Sequence, residues 1–510
     1  MDILAAPLAL SVGAFVLLAW EATRDHRSPM LAIAALGLLG ASLAVRIASA
    51  PGILPATGFV FSDLGLGFLA GGTVLLARKA PAMPFFSLAL LSLVLSGVLH
   101  VLGTPSRATE SSSTSLLVEL GPDDDESEIA GILDRYGARA EKAFPSVDLT
   151  EDSDLAQVLL VTLIDVSDAD VESMMRELRA DRENVDHVEI NASVQLPEPR
   201  EAETPAASHD AILANDPLAS RQWALEAVRG HEAHSLLRDL KPARKAIVAI
   251  LDTGVDSRHE DVREVFSASP ASDDAHGHGT HCAGIAGSAT NNALGMASLN
   301  WEGRFVEISA YRALSSSGMG TIESIAQAII DATTDGADVL SMSLGDYSPT
   351  APKVVADAVN FALRRGTIIV AAAGNAAQDA AQHMPANIDG VIAVSAVDPT
   401  LHRARFSNSN TSLRRPLAAP GVDIISLVPN GTYGPKSGTS MATPLVAGLL
   451  GVMRSLDPSL DADRAYSILS QTGIETPDAS LVGPMINAAG AIEVLAGGRA
   501  TAPFAALSPP

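Results

Sequence analysis

The sequence predicts an α/β domain, with a central and mostly parallel sheet flanked by helices, over residues 215–497. Two observations predict it: apolar strands that end in polar residues, and glycine-rich turns directly after those strands. This pattern is typical of open α/β sheets, whose functional groups lie at the carboxyl ends of the strands. A smaller α+β domain over residues 116–196 and an all-α membrane segment over residues 1–103 are predicted to precede it. The remaining segments are predicted as linkers at 104–115 and 197–214 and a tail at 498–510.

The first 103 residues are predicted to form about four transmembrane helices, with three as the alternative count. The apolar runs cover residues 3–20, 30–45, 57–77 and 81–103. A cleaved signal peptide is the alternative for the first run, but that run lacks a basic start and further spans follow it. We therefore expect the first helix to be retained.

The basic residues of this segment indicate its orientation. Arg24 and Arg27 lie in one loop between apolar runs, and Arg78 and Lys79 lie in another. Loops that carry lysine and arginine stay on the cytoplasmic side of a membrane. Both loops are therefore predicted to be inside, which places everything after residue 103 outside the cytoplasm.

Charge and cysteine content limit the partners and the stabilising bonds of the chain. The formal net charge is −25, and residues 1–103 contribute +1, so residues 104–510 carry −26. Such a charge repels phosphates, which excludes nucleic acid as the main partner. Cys282 is the only cysteine, so no intramolecular disulfide can form and the redox compartment cannot be inferred from one.

Residues 116–196 show the order of elements of a ferredoxin-like domain. LLVEL (116–120) predicts a strand, and DDESEIAGILDRYGA (124–138) has acidic residues at its start and apolar residues at helical spacing. Two strands, an amphipathic helix at 168–181 and a last strand complete a β-α-β-β-α-β order. The 197–214 linker is rich in Pro, Glu and Ala, a composition suited to proteolytic cutting.

Two apolar strands of the α/β domain end in polar side chains. KAIVAILDTGVDSRHEDV (245–262) begins as a buried strand that ends in Asp252, and VAAAGNAAQ (370–378) ends in a glycine followed by Asn375. A carboxylate at the carboxyl end of such a strand is often functional, and an amide there can donate a hydrogen bond into the crevice. Taken singly, a capping aspartate and a turn asparagine are the alternatives.

A third segment places a serine at the start of a helix. SGTSMATPLVAGLL (437–450) carries Ser440 in a glycine-flanked turn that leads into small and apolar residues typical of a buried helix. The free backbone N–H groups at a helix N-terminus suit a nucleophile whose product is an oxyanion. An ordinary N-cap serine is the alternative for an isolated example.

The segment HGHGTHCAGIAG (276–287) contains His276, His278, His281 and Cys282. Imidazole and thiolate are good zinc ligands, so these four side chains could surround a zinc ion. A packed glycine-rich turn and one arm of a catalytic apparatus are the other interpretations, and the segment alone does not decide among them.

Together, these four segments resemble the signatures of the subtilisin-like serine proteases, the subtilases. The matching frames are AILDTGVDSRHED, GHGTHCAGIAG, VAAAGNAAQ and SGTSMATPLVAG, and the resemblance covers about residues 215–495. It implies a subtilisin-like catalytic domain in which Ser440 is the nucleophile, His278 the base and Asp252 the residue that orients the imidazole. Asn375 is implied as the donor to the oxyanion, and no cofactor is required for this chemistry.

The resemblance bears on the histidine-rich segment as well. A zinc site there would need His278, which the implied triad already uses, so the zinc interpretation is disfavoured. His281 is then expected to be a packed helix residue and His276 a turn residue. Cys282 is expected to be a free cysteine near the base, as in some subtilases that resemble proteinase K.

The resemblance also implies residues that bind substrate and calcium. Substrate is expected to lie as an added strand along SSSGMG (315–320) and SMSLGD (341–346). The predicted substrate-binding residues are Ser317, Gly318, Ser343, Leu344, Gly345, Ala373 and Gly374. Ala376 stands where several relatives carry an acid, so we expect a broad preference for apolar residues. Asp216, Asp261 and Asn291 are the predicted ligands of a structural calcium ion.

Residues 116–196 also look like the inhibitory propeptide of that family, an inference that depends on element order. The predicted function is therefore a membrane-anchored, extracytoplasmic serine endopeptidase that acts on proteins or peptides and processes itself. Its own propeptide would be an intramolecular inhibitor, and processing would release the enzyme from the membrane. The alternative is a membrane sensor or scaffold that uses the protease fold to bind peptides without cutting them.

Overall fold

The computed structural model describes residues 114–150, 152–196 and 214–497, which fall in one compact unit. The predicted membrane segment at 1–103 lies outside these residues, as do almost the whole of the 197–214 linker and all but the last two residues of the linker at 104–115. Within the described part of the chain, no helix is both long enough and apolar enough to cross a membrane.

The first part of this unit is a four-stranded antiparallel sheet covered by helices. Its strands pair in the order β2-β3-β1-β4. The elements are β1 (Thr114–Leu120), α1 (Glu126–Tyr136), β2 (Arg139–Lys142), α2 (Ser153–Ala156), β3 (Val158–Leu163), α3 (Asp168–Ala180) and β4 (Val185–Ile190). Helices α1 and α3 both begin with a capping box, from Asp125 and Ser167, so the first backbone N–H groups of each helix are partnered. A short strand β5 (Ser193–Gln195) leaves this sheet and pairs elsewhere.

The second part is built on a six-stranded parallel sheet. Its strands pair in the order β14-β13-β11-β9-β6-β7. They are β6 (Ala246–Asp252), β7 (Val306–Arg312), β9 (Val339–Met342), β11 (Ile368–Ala372), β13 (Ile392–Val397) and β14 (Pro416–Pro420). Short antiparallel strands lie outside the sheet: β8 (Met319–Thr321) with β5, β10 (Asp346–Tyr347) with β12 (His383–Met384), and β15 (Ile424–Val428) with β16 (Thr432–Lys436). The predicted α/β class and mostly parallel sheet are therefore confirmed.

Helices cover both faces of the sheet and enclose two apolar clusters. The helices are α4 (Trp223–Ala227), α5 (Gly230–Asp239), α6 (His278–Gly287), α7 (Ile322–Thr334), α8 (Lys353–Arg364), α9 (Thr439–Leu456), α10 (Ala462–Thr472), α11 (Ala479–Val482) and α12 (Ala488–Gly497). Helices α6 and α9 pack on one face, and helices α7 and α8 pack on the other. The strands read as continuous apolar runs because both of their faces are buried.

The antiparallel domain packs on the parallel one through α8 and β8. The Glu189 carboxylate accepts hydrogen bonds from the backbone N–H groups of Lys353 and Val354 at 2.9 and 3.0 Å, so it caps helix α8. The Lys353 ammonium lies 2.7 Å from the Glu119 carboxylate. A carboxylate at a helix N-terminus is stabilised by the helix dipole as well as by these hydrogen bonds.

Candidate active site

Asp252 and His278 form a buried pair at the carboxyl end of strand β6. Asp252 is the last residue of β6 and His278 the first residue of α6, and both side chains are almost fully buried. The Nδ1 atom of His278 lies 2.8 and 2.9 Å from the two carboxylate oxygens of Asp252. A Cβ atom on Gly279 would lie 2.1 Å from the Gly254 carbonyl, so only glycine lets the helix start approach the turn after β6 this closely.

The electrostatics of this pair favour a basic imidazole. Burial alone would lower the pKa of His278, but the adjacent Asp252 carboxylate outweighs it and raises the pKa above the ordinary 6.5. Nδ1 must carry the proton that it shares with the carboxylate, which leaves Nε2 of the neutral ring as the proton acceptor.

Ser440 lies in the first turn of the buried helix α9. Its hydroxyl donates a hydrogen bond to the Ser343 carbonyl at 3.2 Å, and Ser343 follows directly after strand β9. In the first turn of a helix the backbone N–H groups have no partner within the helix. The Ser440 N–H is therefore suited to bind a developing negative charge.

A proline frees the backbone carbonyl of this serine for hydrogen bonds outside the helix. Pro444 has no N–H, so the Ser440 carbonyl lacks the donor that a regular helix would provide four residues later. The carbonyl instead accepts hydrogen bonds from Ser343 Oγ at 2.8 Å and from Cys282 Sγ at 3.4 Å. The helix start that carries Ser440 is thereby tied both to the sheet and to helix α6.

Cys282 lies between the Asp252–His278 pair and Ser440. Its sulfur is 3.9 Å from Nδ1 of His278 and bonds the Ser440 carbonyl, and the residue is fully buried. The structure therefore brings His278, Asp252 and Ser440 into one cluster around a thiol that has no place among the implied catalytic roles.

Asn375 approaches the same helix start from the loop after strand β11. Its side-chain oxygen accepts hydrogen bonds from the backbone N–H and the hydroxyl of Thr439, at 2.9 and 3.0 Å. These two bonds fix the amide orientation, which leaves the Nδ2 donor directed away from Thr439. Nδ2 and the Ser440 N–H both border Gly438, where an added Cβ atom would be 3.5 and 3.6 Å from the two nitrogens.

The other histidines of the histidine-rich segment do not join this cluster. Nε2 of His281 donates to the Gly434 carbonyl at 3.0 Å, and burial lowers the pKa of His281 well below its ordinary value. His276 lies in the turn and faces Gly318, where an added Cβ atom would be 3.2 Å from the ring. Among the described residues, the one group with metal-ligand spacing is Asp252, His278 and Cys282, and its imidazole Nδ1 is already bonded to the carboxylate. The four side chains of the histidine-rich segment therefore do not converge on one point in this arrangement.

The predicted substrate-binding residues fall into two groups. Gly345 lines a cavity of about 540 Å³ together with Asn375 and Ala376, and the Gly318 carbonyl accepts a hydrogen bond from the Leu196 N–H at 2.9 Å. Ser317, which bonds Ser315, lies in the same turn as Gly318. The remaining predicted residues are not among those that line this cavity: Leu344 is a buried core residue, Ala373 bonds Asn408, Gly374 bonds Thr439 and Ser343 bonds Ser440.

His383 is a residue of this cavity that the sequence interpretation missed. Its ring packs so closely on two glycines that Cβ atoms at Gly345 and Gly374 would lie 2.7 and 3.0 Å from it. Burial lowers the pKa of His383 to about 4 although Asp346 favours the charged form, so the ring is neutral at physiological pH. His383 belongs to no glycine-rich frame, so nothing in its local sequence distinguishes it.

The predicted calcium ligands lie together, and their oxygens accept hydrogen bonds from the same loop. Asp216 accepts the backbone N–H groups of Asn291 and Asn292 at 2.8 and 3.2 Å. Asp261 accepts the Asn292 amide and the Met296 N–H at 3.0 and 2.8 Å. Burial and the nearby Asp261 raise the pKa of Asp216 to about 6. In this arrangement the residues close a hydrogen-bonded loop, and their oxygens keep lone pairs that could bind calcium, so the calcium site stays a prediction.

Comparison with known proteins agrees with the resemblance to the subtilases. A model of the Subtilase family matches residues 243–487. Thermitase from Thermoactinomyces vulgaris is 38% identical over 259 residues, which span 49% of this chain and 88% of thermitase. Subtilisin Savinase from Lederbergia lenta is 36% identical over 272 residues, 52% of this chain and 96% of that protein. A solved protease structure from Pseudoalteromonas arctica aligns with a TM-score of 0.50 at 27% identity, over 55% of this chain and 99% of that one.

Proposed function

This chain belongs to the subtilase family of serine peptidases, and we propose that Asp252, His278 and Ser440 are its catalytic triad. The observation that carries the proposal is the buried Asp252–His278 pair, at 2.8 Å, beside the helix start that bears Ser440. Hydrolysis of an internally quenched peptide by the purified chain, and its loss after treatment with a fluorophosphonate that modifies Ser440, would test this assignment.

The proposed reaction begins when the Ser440 hydroxyl turns from the Ser343 carbonyl towards Nε2 of His278. Ser440 Oγ then attacks the peptide carbonyl, and His278 accepts the hydroxyl proton and later passes it to the leaving amine. Asp252 keeps the proton of the neutral ring on Nδ1 and stabilises the imidazolium that forms. Asn375 Nδ2 and the Ser440 N–H donate to the oxyanion of the tetrahedral intermediate, and water then hydrolyses the acyl-enzyme.

This mechanism predicts an acid-side loss of activity that starts above the ordinary histidine pKa. The base must be neutral, and Asp252 raises the pKa of His278, so the ring protonates at a higher pH than a free histidine. We expect kcat/KM to fall along one limb as the pH is lowered, with a midpoint above 6.5. Asp252→Asn removes the charge that raises this pKa, so the limb should move to lower pH while the rate falls.

The measurement is a pH profile of kcat/KM between about pH 5 and 10 on a quenched peptide that has no titratable side chains. Asp389→Asn, at an exposed aspartate, is the matched control and should leave the limb unchanged. A wild-type midpoint at or below 6.5, or an Asp252→Asn limb that moves to higher pH, would contradict the assignment of His278 as the base.

We further propose that residues 116–196 act as an intramolecular inhibitor. Strand β5 pairs with β8 in antiparallel register, from Ser193 opposite Thr321 to Gln195 opposite Met319. Val194 and Leu196 are buried at 1% and 6% exposure, and burying each aliphatic side chain contributes about 1.5–3 kcal/mol. A strand held in this way leads into the cavity beside Asn375 and excludes substrate from it.

The same pairing supports a preference of the cleft for apolar substrate residues at alternate positions. Val194 and Leu196 point into the apolar cluster under β8, whereas Gln195 between them is exposed. A bound substrate that took this path would bury its corresponding side chains in the same places.

Residues 1–103 are proposed to anchor the enzyme in the membrane with the catalytic domain outside the cytoplasm. The loops that carry Arg24, Arg27, Arg78 and Lys79 support this orientation. A cut in the 197–214 linker would separate the protease from this anchor and from its inhibitor in one event.

Self-processing is expected to occur in that linker. The wild-type chain should yield an active species with a new N-terminus between residues 197 and 215, and Ser440→Ala should leave the chain whole, because the cut needs the nucleophile. Intact-mass analysis and N-terminal sequencing of the two proteins, expressed side by side, provide the measurement.

Two outcomes of this experiment would distinguish self-processing with release from a tethered protease and from cutting by another protease. An active enzyme that still begins near Met1 would rule out obligatory release and favour a tethered protease. A cut that also appears in Ser440→Ala would assign the processing to another protease. Mixing Ser440→Ala with a trace of active enzyme would then distinguish cutting between molecules from cutting within one.

A further inference from the structure

A second buried carboxylate, that of Asp274, lies in the turn that precedes His278. Asp274 is buried, with 7% exposure, and it is the acceptor of five hydrogen bonds. One oxygen accepts from Thr253 Oγ1 at 3.0 Å and from the N–H groups of His276 and Gly277 at 3.0 and 2.8 Å. The other accepts from the N–H and the hydroxyl of Thr280 at 2.9 and 2.7 Å.

These bonds connect the two elements that carry the Asp252–His278 pair. Thr253 follows Asp252 at the end of β6, and its hydroxyl both donates to Asp274 and accepts the Gly279 N–H at 3.1 Å. The bonds from residues 276, 277 and 280 bracket His278 on both sides. Asp274 therefore connects the strand end to the helix start, together with the direct bond between Thr253 and Gly279.

The neighbouring charged groups make their bonds elsewhere. Arg312 donates to the Thr253 carbonyl and to Asp273, and Lys436 donates to the Gly277 carbonyl. Among the described residues, the hydrogen bonds to Asp274 come from neutral donors only. A buried carboxylate needs such bonds to offset the loss of its hydration, and the ionised form is the one that can accept all five.

We propose that Asp274 is a positioning residue, whose five hydrogen bonds hold His278 against Asp252 in the geometry that proton transfer requires. The proposal rests on the function proposed above for that pair. Asp274 acts through the turn and through Thr253.

Asp274→Asn is the variant that tests this role. It keeps the side-chain size but presents an NH2 group, a donor, to groups that are themselves donors. A misplacement of about 1 Å in a catalytic group can cost about 10²-fold. We therefore expect kcat to fall about 10- to 100-fold with KM nearly unchanged, and the acid limb of the pH profile to move to lower pH, because Asp252 is held less well against His278.

Asp338→Asn is the matched control. Asp338 is also a buried carboxylate with several partners, since it bonds Arg244, Arg454 and the Ile247 N–H on the far side of strand β6. Its loss should lower Tm while kcat and the pH limb of the folded fraction stay at wild-type values. A purely structural role for Asp274 would give the same pattern as this control and would overturn the proposal.

Thr253→Val keeps the test decisive if Asp274→Asn does not fold. It removes the hydroxyl that bridges Asp274 and Gly279, so kcat should fall and the pH limb should shift in the same direction. In the double variant the combined loss should be smaller than the sum of the two, because the bond between Thr253 and Asp274 is lost in either single variant. Additive losses, or an unshifted limb in Thr253→Val, would reject the role of Asp274; an active Ser440→Ala would instead reject the triad.

Discussion

Ser440→Ala is expected to abolish peptide hydrolysis, with a fall in kcat of about 10⁶-fold, the magnitude known for the subtilisin nucleophile. The methyl group cannot form an acyl-enzyme, and the carbonyl bonds of residue 440 with Ser343 and Cys282 do not involve the missing hydroxyl. The fold should therefore be retained, which circular dichroism and an unchanged Tm would verify. The activity is measured as hydrolysis of a quenched peptide, with the purified variant beside wild type.

His278→Ala should cause a loss of similar size, and the double variant should lose no more than either single one. The two residues act as one unit, because a serine without its base is as inactive as a base without its serine. His402→Ala is the control: this histidine is exposed and pairs with Asp478, so kcat should not change. Near-normal hydrolysis by Ser440→Ala, or losses that multiply in the double variant, would contradict the triad.

The sequence was sufficient to identify the family, because its signatures are concentrated in four short segments. Each frame places its polar residue where a strand ends or a helix begins, and parallel strands bring those points to one edge of the sheet. The resemblance to the subtilases, drawn from these frames, is confirmed by the comparisons. Pro444 also lies in one of these segments, but its effect on the hydrogen bonds of the Ser440 carbonyl is visible only in the structure.

The sequence alone did not predict contacts between residues that share no signature segment. His383 reaches the cavity because β12 pairs with β10, a two-residue contact too short for any periodicity to predict. Asp274 precedes His278 in a polar turn, and its five bonds come from groups whose distances depend on how α6 packs on β6. Asp216 and Asp261 accept hydrogen bonds from backbone N–H groups that the sequence alone did not predict, and the calcium site stays a prediction.

A role of Asn375 as oxyanion donor can be distinguished from a structural role, because its side-chain oxygen and its side-chain nitrogen have different partners. Its oxygen accepts from Thr439, and its Nδ2 is the proposed donor to the oxyanion. Asn375→Ala removes both functions, whereas Asn375→Asp keeps an oxygen for Thr439 and replaces the donor with a second oxygen. A role in holding Thr439 predicts that the aspartate variant stays active; a role as donor predicts that it does not.

We expect Asn375→Ala to lower kcat by about 10²–10³-fold, the range known for the loss of one such donor in a subtilisin and equivalent to about 3–4 kcal/mol. KM should change little, since the donor contacts the charge that develops in the transition state and not the ground-state carbonyl. Asn375→Asp should lose at least as much, because its negative charge repels the oxyanion. Asn360→Ala, at an exposed position of α8, is the control and should match wild type. A loss that appears only as a raised KM, or an aspartate variant with wild-type kcat, would show that Asn375 supports Thr439 and does not bind the oxyanion.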